Sequence, residues 1–221
     1  WLNYLPDNRK IYVHSYDYDR YLETTEIKES NEYILYIDSG FGNIDVHLVG
    51  EDFSDPWKGK TKNLWKKMEE MFRRLEDYYR LPVIVAGHPH TAYASDFLFN
   101  RKIVYNKTPE LVKQSKFVIM QWSTSISFAL LFKKDILILI DNDFKKVSTW
   151  NSYYMPNYKY FGVTPCNMDR EEMAQEPWKY VYKIDNELLK KYISTYIKKA
   201  GTPDYLFIEV IEKKINEIME R

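Results

Sequence analysis

Two kinds of hydrophobic pattern alternate along this chain: short unbroken apolar runs, and longer stretches where apolar residues recur at three- and four-residue steps. The unbroken runs at 32–38, 82–86, 102–105, 117–121 and 135–140 read as strands buried on both faces, with 181–184 as a sixth. Between the first two lies the strongest helical pattern, 61–80, where Leu64, Trp65, Met68, Met71, Phe72, Leu75, Tyr78 and Tyr79 recur at three- and four-residue steps. Its other side carries Glu69 with Arg73, Glu70 with Arg74 and Glu76 with Arg80, each four apart, as solvated ion pairs. Thr108, Pro109 and Glu110 open a further helix, with Thr108 as cap and Pro109 at its first position. Helices are also predicted from Ser123 to about 132, over 186–200 up to Gly201, and over 204–219. The amino-terminal stretch predicts a short strand at 11–14 and a short helix at 16–23, and 151–160 predicts another helix. Strand and helix therefore alternate. The expected fold is α/β: a Rossmann-like parallel sheet of about six strands with helices on both faces. In such a sheet ligands bind beyond the carboxyl ends of the strands, where the strand order reverses.

Composition narrows this further. A chain of 221 residues with 45% hydrophobic content supports one substantial core. Residues 32–221 are assigned to the Rossmann-like domain and 1–31 to a linker or a remnant of a missing amino-terminal domain, the chain beginning at Trp1. Lys plus Arg equals Asp plus Glu at 32 each, so no global field recruits nucleic acid or an anionic membrane. No apolar run is long enough to span a bilayer, and the lone Cys166 suits a reducing compartment, so a cytoplasmic location is expected. Aromatic residues, 17% of the chain, gather in 1–36 and 150–182, as a contact surface or as core.

Candidate chemistry sits at the strand ends. Gly87 and Pro89 stop the second strand and leave His88 and His90 just beyond it, where an imidazole can contact a phosphate, protonate a leaving group, or merely bond a neighbouring carbonyl. Zinc-type spacing is absent, and no metal is expected. After the fourth long run, Gln121 leads into Ser123, Thr124 and Ser125 at a predicted helix start, where hydroxyls and unpaired N–H groups favour an anion. Asp38 and Gly40 follow the first strand, and Asp38 either orients a ligand hydroxyl or caps its own turn. The loop at 41–60 adds Asp45, His47, Glu51, Asp52 and Asp55. Glycine-rich dinucleotide and P-loop fingerprints are missing, as is a bracketed nucleophilic serine.

Taken together, the segments 86–90, 107–115 and 121–133 resemble the nucleotide-binding, carboxyl-terminal domain of GT-B glycosyltransferases that build bacterial surface and capsular polysaccharides, including sialyltransferases and polyglycerophosphate transferases. The resemblance implies one half of a GT-B architecture and a CMP- or CDP-activated nucleotide sugar or related donor, with no other cofactor. Its phosphate would be held by His88, Ser123, Thr124 and Ser125. Tyr105, Asn106, Lys107 and Thr108 would lie near base and ribose, with Asp38, Gly40, His90 and Gln121 as further contacts. A glycan or lipid-linked acceptor and the catalytic base would come from a missing amino-terminal domain, with peripheral attachment at the inner membrane face through other parts of the protein. Where such enzymes often carry arginine after His-Pro, this chain has His90. Two further readings stay open: a UDP-sugar epimerase-like enzyme, and a non-catalytic flavodoxin-like module whose aromatic surface at 150–161 contacts a partner.

Overall fold

The computed structural model describes residues 10–40, 61–89, 91, 97, 98, 100–146 and 150–220. The chain divides into a larger unit, 27–185, and a smaller one that joins 1–26 to 186–221.

Among the described residues the larger unit is built on seven strands: β1 (Ile34–Ile37), β2 (Val83–Ala86), β3 (Phe97–Leu98), β4 (Arg101–Val104), β5 (Phe117–Met120), β6 (Asp135–Ile140) and β7 (Cys166–Asn167). Their spatial order is β3-β4-β2-β1-β5-β6-β7. All pairings are parallel except that of β3 with β4, a short hairpin at the edge. From β1 the chain steps outward through β2 to β4, then crosses back to β5 and runs outward the other way. The order therefore reverses between β1 and β5. That is the Rossmann arrangement, and it places the expected crevice at the ends of these two strands. β1 is central because every one of its residues is apolar and buried, from Ile34 at 0% to Ile37 at 3% exposure.

Helices cover both faces. Tyr33 and Tyr36, three positions apart, project to opposite sides of the sheet. The Tyr36 ring packs 5.1 Å from Phe72 of α2 (Thr61–Tyr79), while the Tyr33 hydroxyl donates to the Leu111 carbonyl of α3 (Thr108–Gln114) at 2.9 Å. α3 packs beside α4 (Ile126–Leu131).

Three expectations are corrected. The sixth parallel strand is β7, not 181–184: Tyr182 makes only an antiparallel bridge to Ile136 at the start of β6, while β7 takes the end of the same edge. Cys166 and Asn167 are small enough to pack there at 0% and 2% exposure. Second, the Glu76 carboxylate turns away from Arg80 to grip Arg101 of β4, with Oε1 to Nε 2.9 Å and Oε2 to Nη2 2.5 Å. The same carboxylate accepts the Val83 N–H at 2.9 Å, so it fixes α2 against two strands instead of lying in solvent. Third, residues 11–14 form no strand.

The smaller unit contains α1 (Tyr16–Glu23), then α7 (Asn186–Tyr192), which continues as a π-helical turn over Ile193–Ile197, and α8 (Phe207–Met219). In the larger unit α5 spans Met155–Tyr160 and α6 Glu171–Gln175. α1 is tied to the α7–α8 connection by the Tyr18 hydroxyl on Asp204 at 2.7 Å and by the Phe207 N–H on Asp19 at 2.9 Å. The buried His14 ring adds a third tie, its Nε2 lying 2.7 Å from the Tyr205 carbonyl. Among the described residues no helix is long and apolar enough to cross a membrane.

Candidate functional site

The ends of β2, β1 and β5 stand side by side at the reversal of strand order, and the sequence delivers a distinct chemistry at each. After β1, the Asp38 N–H extends the ladder to the Ala86 carbonyl at 3.0 Å. Its buried carboxylate accepts the Gly40 N–H at 3.0 Å and the Tyr36 hydroxyl at 3.3 Å. Asp38 thus caps its own turn. Gly40 completes that turn in the left-handed region, at φ +74°, and lies so close to His88 that a Cβ there would sit 3.2 Å from the imidazole Nδ1. The missing side chain of Gly40 is what lets the His88 ring come over the end of β1.

After β2, the Gly87 N–H bonds the Val104 carbonyl at 2.9 Å. A Cβ on Gly87 would lie 2.7 Å from Ile103 Cγ2 and 2.8 Å from Tyr105 Cε1, so the Tyr105 ring occupies the space beside the strand end. His88, Gly40, Asp38 and Tyr105 are therefore brought together around Gly87. Asn106 turns the chain with φ +56°, and Lys107, exposed, precedes α3. Thr108 is the first residue of α3, one position later than a cap, and Pro109 follows it.

After β5 the expectations change. Gln121 is 2% exposed, and its polar atoms are engaged: Oε1 accepts the Tyr36 hydroxyl at 3.0 Å, Nε2 faces Met68 Sδ at 3.4 Å, and its carbonyl accepts the buried Tyr158 hydroxyl at 2.8 Å. Burial pushes the Tyr158 hydroxyl far above the ordinary tyrosine range, so it stays a donor to that carbonyl. Gln121 is a strut of the site and not an exposed ligand group. Ser123 is not the helix cap. The Ser123 hydroxyl accepts the Ser125 N–H at 3.2 Å, and the N–H groups of Ile126, Ser127 and Phe128 go to the carbonyls of Ser123, Thr124 and Ser125 at 3.1, 3.2 and 3.1 Å. This tight turn uses the donors that a helix start would offer an anion, and α4 itself has six residues. What remains of the predicted cluster is its hydroxyls, with Thr124 exposed.

Sequence reasoning missed two further hydroxyls. Ser39 Oγ, between Asp38 and Gly40, and Thr91 Oγ1, whose N–H bonds the His88 carbonyl at 3.0 Å, are both buried without a hydrogen-bond partner among the described residues. A buried hydroxyl without a partner costs about 1–3 kcal/mol, which a ligand oxygen would offset. The sequence offered only a serine directly after a strand and a threonine near a His-Pro pair. Also missed was an ion-pair network where β6 and β7 end. Lys67 Nζ of α2 lies 3.1 Å from Asp141 and 2.6 Å from Asp169, and Asp169 also accepts the Asn142 N–H at 2.8 Å. Burial pushes the Asp169 carboxyl up, but these hydrogen bonds and the Lys67 charge together hold it below the usual carboxylate range. Lys67 falls on the polar side of α2, and nothing local announces partners so far away in sequence.

His90 and the acidic loop with Asp45, His47, Glu51, Asp52 and Asp55 lie outside the described residues. Among the described residues no group of three His, Cys, Asp or Glu side chains is placed to hold a metal ion. The aromatic run 150–161 is mostly interior: Trp150, Tyr154, Tyr158 and Phe161 are buried, and Trp122 packs edge-on to Tyr154 and Tyr158. Only Tyr153 of those named in its rings is exposed, so the partner-binding module loses its surface.

No family model matches the chain, and no curated protein matches it. Among solved structures it is similar to S. aureus MnaA in a co-structure with UDP, at 17% identity and a TM-score of 0.37, over 98% of this chain. The chain spans 49% of that protein's length. At that score the likeness is one of outline, and the chemistry of the site is read from the chain's own residues.

Proposed function

We propose that the larger unit binds a nucleotide-activated sugar and that the chain is the donor-binding part of a glycosyl or glycerophosphoryl transferase of bacterial surface polysaccharide synthesis. The observation that carries this reading is the pair of hydroxyls without a partner among the described residues, Ser39 directly after β1 and Thr91 shortly after β2, on two adjacent strands beside the reversal of strand order. A phosphate supplies acceptor oxygens for both hydroxyls and for an N–H of the His88 imidazole, and its charge is spread over several donors. The Tyr105 ring beside Gly87 gives a base or ribose a flat apolar surface. As the bond between donor and nucleotide breaks, negative charge grows on the departing phosphate. His88, Ser39 and Thr91, already in place, stabilise that charge more strongly than they stabilise the intact donor, which lowers the barrier. No other cofactor enters this scheme. The attacking hydroxyl of a glycan or lipid-linked acceptor, and its base, come from outside the larger unit.

The donor nucleotide is assigned as CMP- or CDP-linked on the sequence resemblance. Calorimetric titration of CMP, CDP, UDP and GDP tests it, with Ser39→Ala and His88→Ala as variants. A cytidine nucleotide should bind saturably and each variant should weaken it about tenfold or more, the loss of one hydrogen bond to a charged group. Preference for UDP would overturn the donor assignment and keep the nucleotide site. Absence of binding by any of the four would overturn the site.

A further inference from the structure

The smaller unit holds a cleft of about 580 Å³, lined by segments 10–12, 199–203 and 205 and by one face of α8. Among the described residues four lysines line it, Lys10, Lys199, Lys213 and Lys214, with one carboxylate, Glu217. Setting aside Lys10, which has a partner of its own, and the Lys214–Glu217 pair, this leaves two positive charges, Lys199 and Lys213, in a chain whose charges balance at 32 each. Glu217 is committed to Lys214 at 2.6 Å. The Lys199 and Lys213 ammonium groups are held differently. Each stands 3.3 Å from the centroid of an aromatic ring, Lys199 over Tyr12 and Lys213 over Tyr205, and both rings line the same cleft. A ring face orients an ammonium group without neutralising it, and its N–H donors stay able to turn to a ligand. Among the described residues no atom lies within 4 Å of where a Cβ on Gly201 would stand.

From this we infer a second binding site, one for a phosphate-bearing ligand with two or more negative charges, held chiefly by Lys199 and Lys213. A single carboxylate would match only one of these two ammonium groups, whereas a diphosphate or phosphomonoester supplies both charge and acceptor oxygens. The cleft's volume is within the range of small-ligand sites. The ligand is drawn from solution in preference to a lipid surface. Val210, Lys213, Lys214 and Glu217 form the cleft-lining face of α8, whereas the exposed Ile208, Ile215, Ile218 and Met219 fall on another side of the helix. A flat bilayer meeting the lysines would not meet that apolar stripe. This site is independent of the nucleotide reading, since it lies wholly in the smaller unit.

The test is calorimetric titration of inorganic pyrophosphate into the intact chain, paired with co-sedimentation on vesicles of phosphatidylcholine with or without phosphatidylglycerol. Lys199→Gln/Lys213→Gln should weaken pyrophosphate about tenfold or more, in line with the loss of charge-assisted hydrogen bonds. Lys199→Arg/Lys213→Arg should retain binding, as should Lys190→Gln/Lys191→Gln, which removes the same charge from α7. His88→Ala/Ser39→Ala should also leave it intact, which separates this site from the nucleotide site. Vesicle binding that depends on phosphatidylglycerol and is lost in Lys199→Gln/Lys213→Gln, without pyrophosphate binding, would keep the phosphate chemistry and move its source to a headgroup. Equal pyrophosphate affinity in the wild type and Lys199→Gln/Lys213→Gln, or equal loss in the α7 control, would overturn the proposal.

Discussion

Adding one methyl group at Gly87 should disturb both the sheet and the site. An alanine Cβ there would lie 2.7 Å from Ile103 Cγ2 and 2.8 Å from Tyr105 Cε1, where carbon atoms rest at about 3.5–4.0 Å. The Tyr105 ring is 36% exposed and can swing outward, but Ile103 is 5% exposed and sits in β4, paired with Val85. Relief therefore has to come from movement of β4 against β2 by about 1 Å. Overpacking of this kind costs about 1–3 kcal/mol. For a chain of this length that is a fall in melting temperature of about 2–4 °C for each kcal/mol. Urea unfolding of Gly87→Ala should show a lower midpoint at an unchanged slope. The double variant Gly87→Ala/Ile103→Ala removes the clashing methyl, so its destabilisation should be less than the sum of the two single ones. On the proposed nucleotide reading, affinity for the nucleotide should also fall in Gly87→Ala, because Tyr105 is displaced. Stability equal to the wild type, or strict additivity in the cycle, would refute the close packing at this strand end.

Two other perturbations test the struts of the same edge. Tyr158→Phe removes the donor to the Gln121 carbonyl and leaves that buried oxygen without it, at a cost of about 1–3 kcal/mol in urea unfolding and without change at any exposed group. Lys67→Met strips Asp141 and Asp169 of their shared cation and should cost about 1–3 kcal/mol at neutral pH. The folded Asp169 carboxyl is held below its ordinary value, so its contribution is present above the unfolded pKa of about 4 and is lost as pH falls through the folded one. The gap between wild type and Lys67→Met in urea melts should accordingly shrink between pH 7 and pH 3. A constant gap would show that Lys67 acts through packing alone.

Much of the sheet was legible because its strands are buried on both faces: Phe117 to Met120 and Ile136 to Ile140 are apolar at every position, which few other structures permit. β7 was not, since two residues, Cys166 and Asn167, carry no periodicity and owe their place to the edge that β6 offers. The pairing of Glu76 was misread because Arg80 is near in sequence, while Arg101 arrives only through the sheet. At Ser123 three consecutive hydroxyl residues announce a polar turn correctly. They do not say whether side chains or backbone carbonyls take the next N–H groups, and the carbonyls do. His88 and Gly40 were each visible alone, as residues after strands. Their contact follows from the adjacency of β1 and β2, and unpartnered atoms such as Ser39 Oγ belong to three dimensions only.

The central position of β1 also bears on how the protein is made. On the ribosome its four apolar residues emerge before either neighbour exists, because β2 begins at residue 83 and β5 at residue 117. Until translation delivers them, both edges of β1 offer free backbone groups on a sticky ribbon, the kind of segment that chaperones mask and that aggregates when they do not. α2, synthesised in that interval, carries Met68 and Phe72 to the Tyr36 side and is the earliest cover available. Substitutions that weaken the apolar side of α2 should therefore reduce the yield of nascent chains more than they reduce the stability of the finished protein.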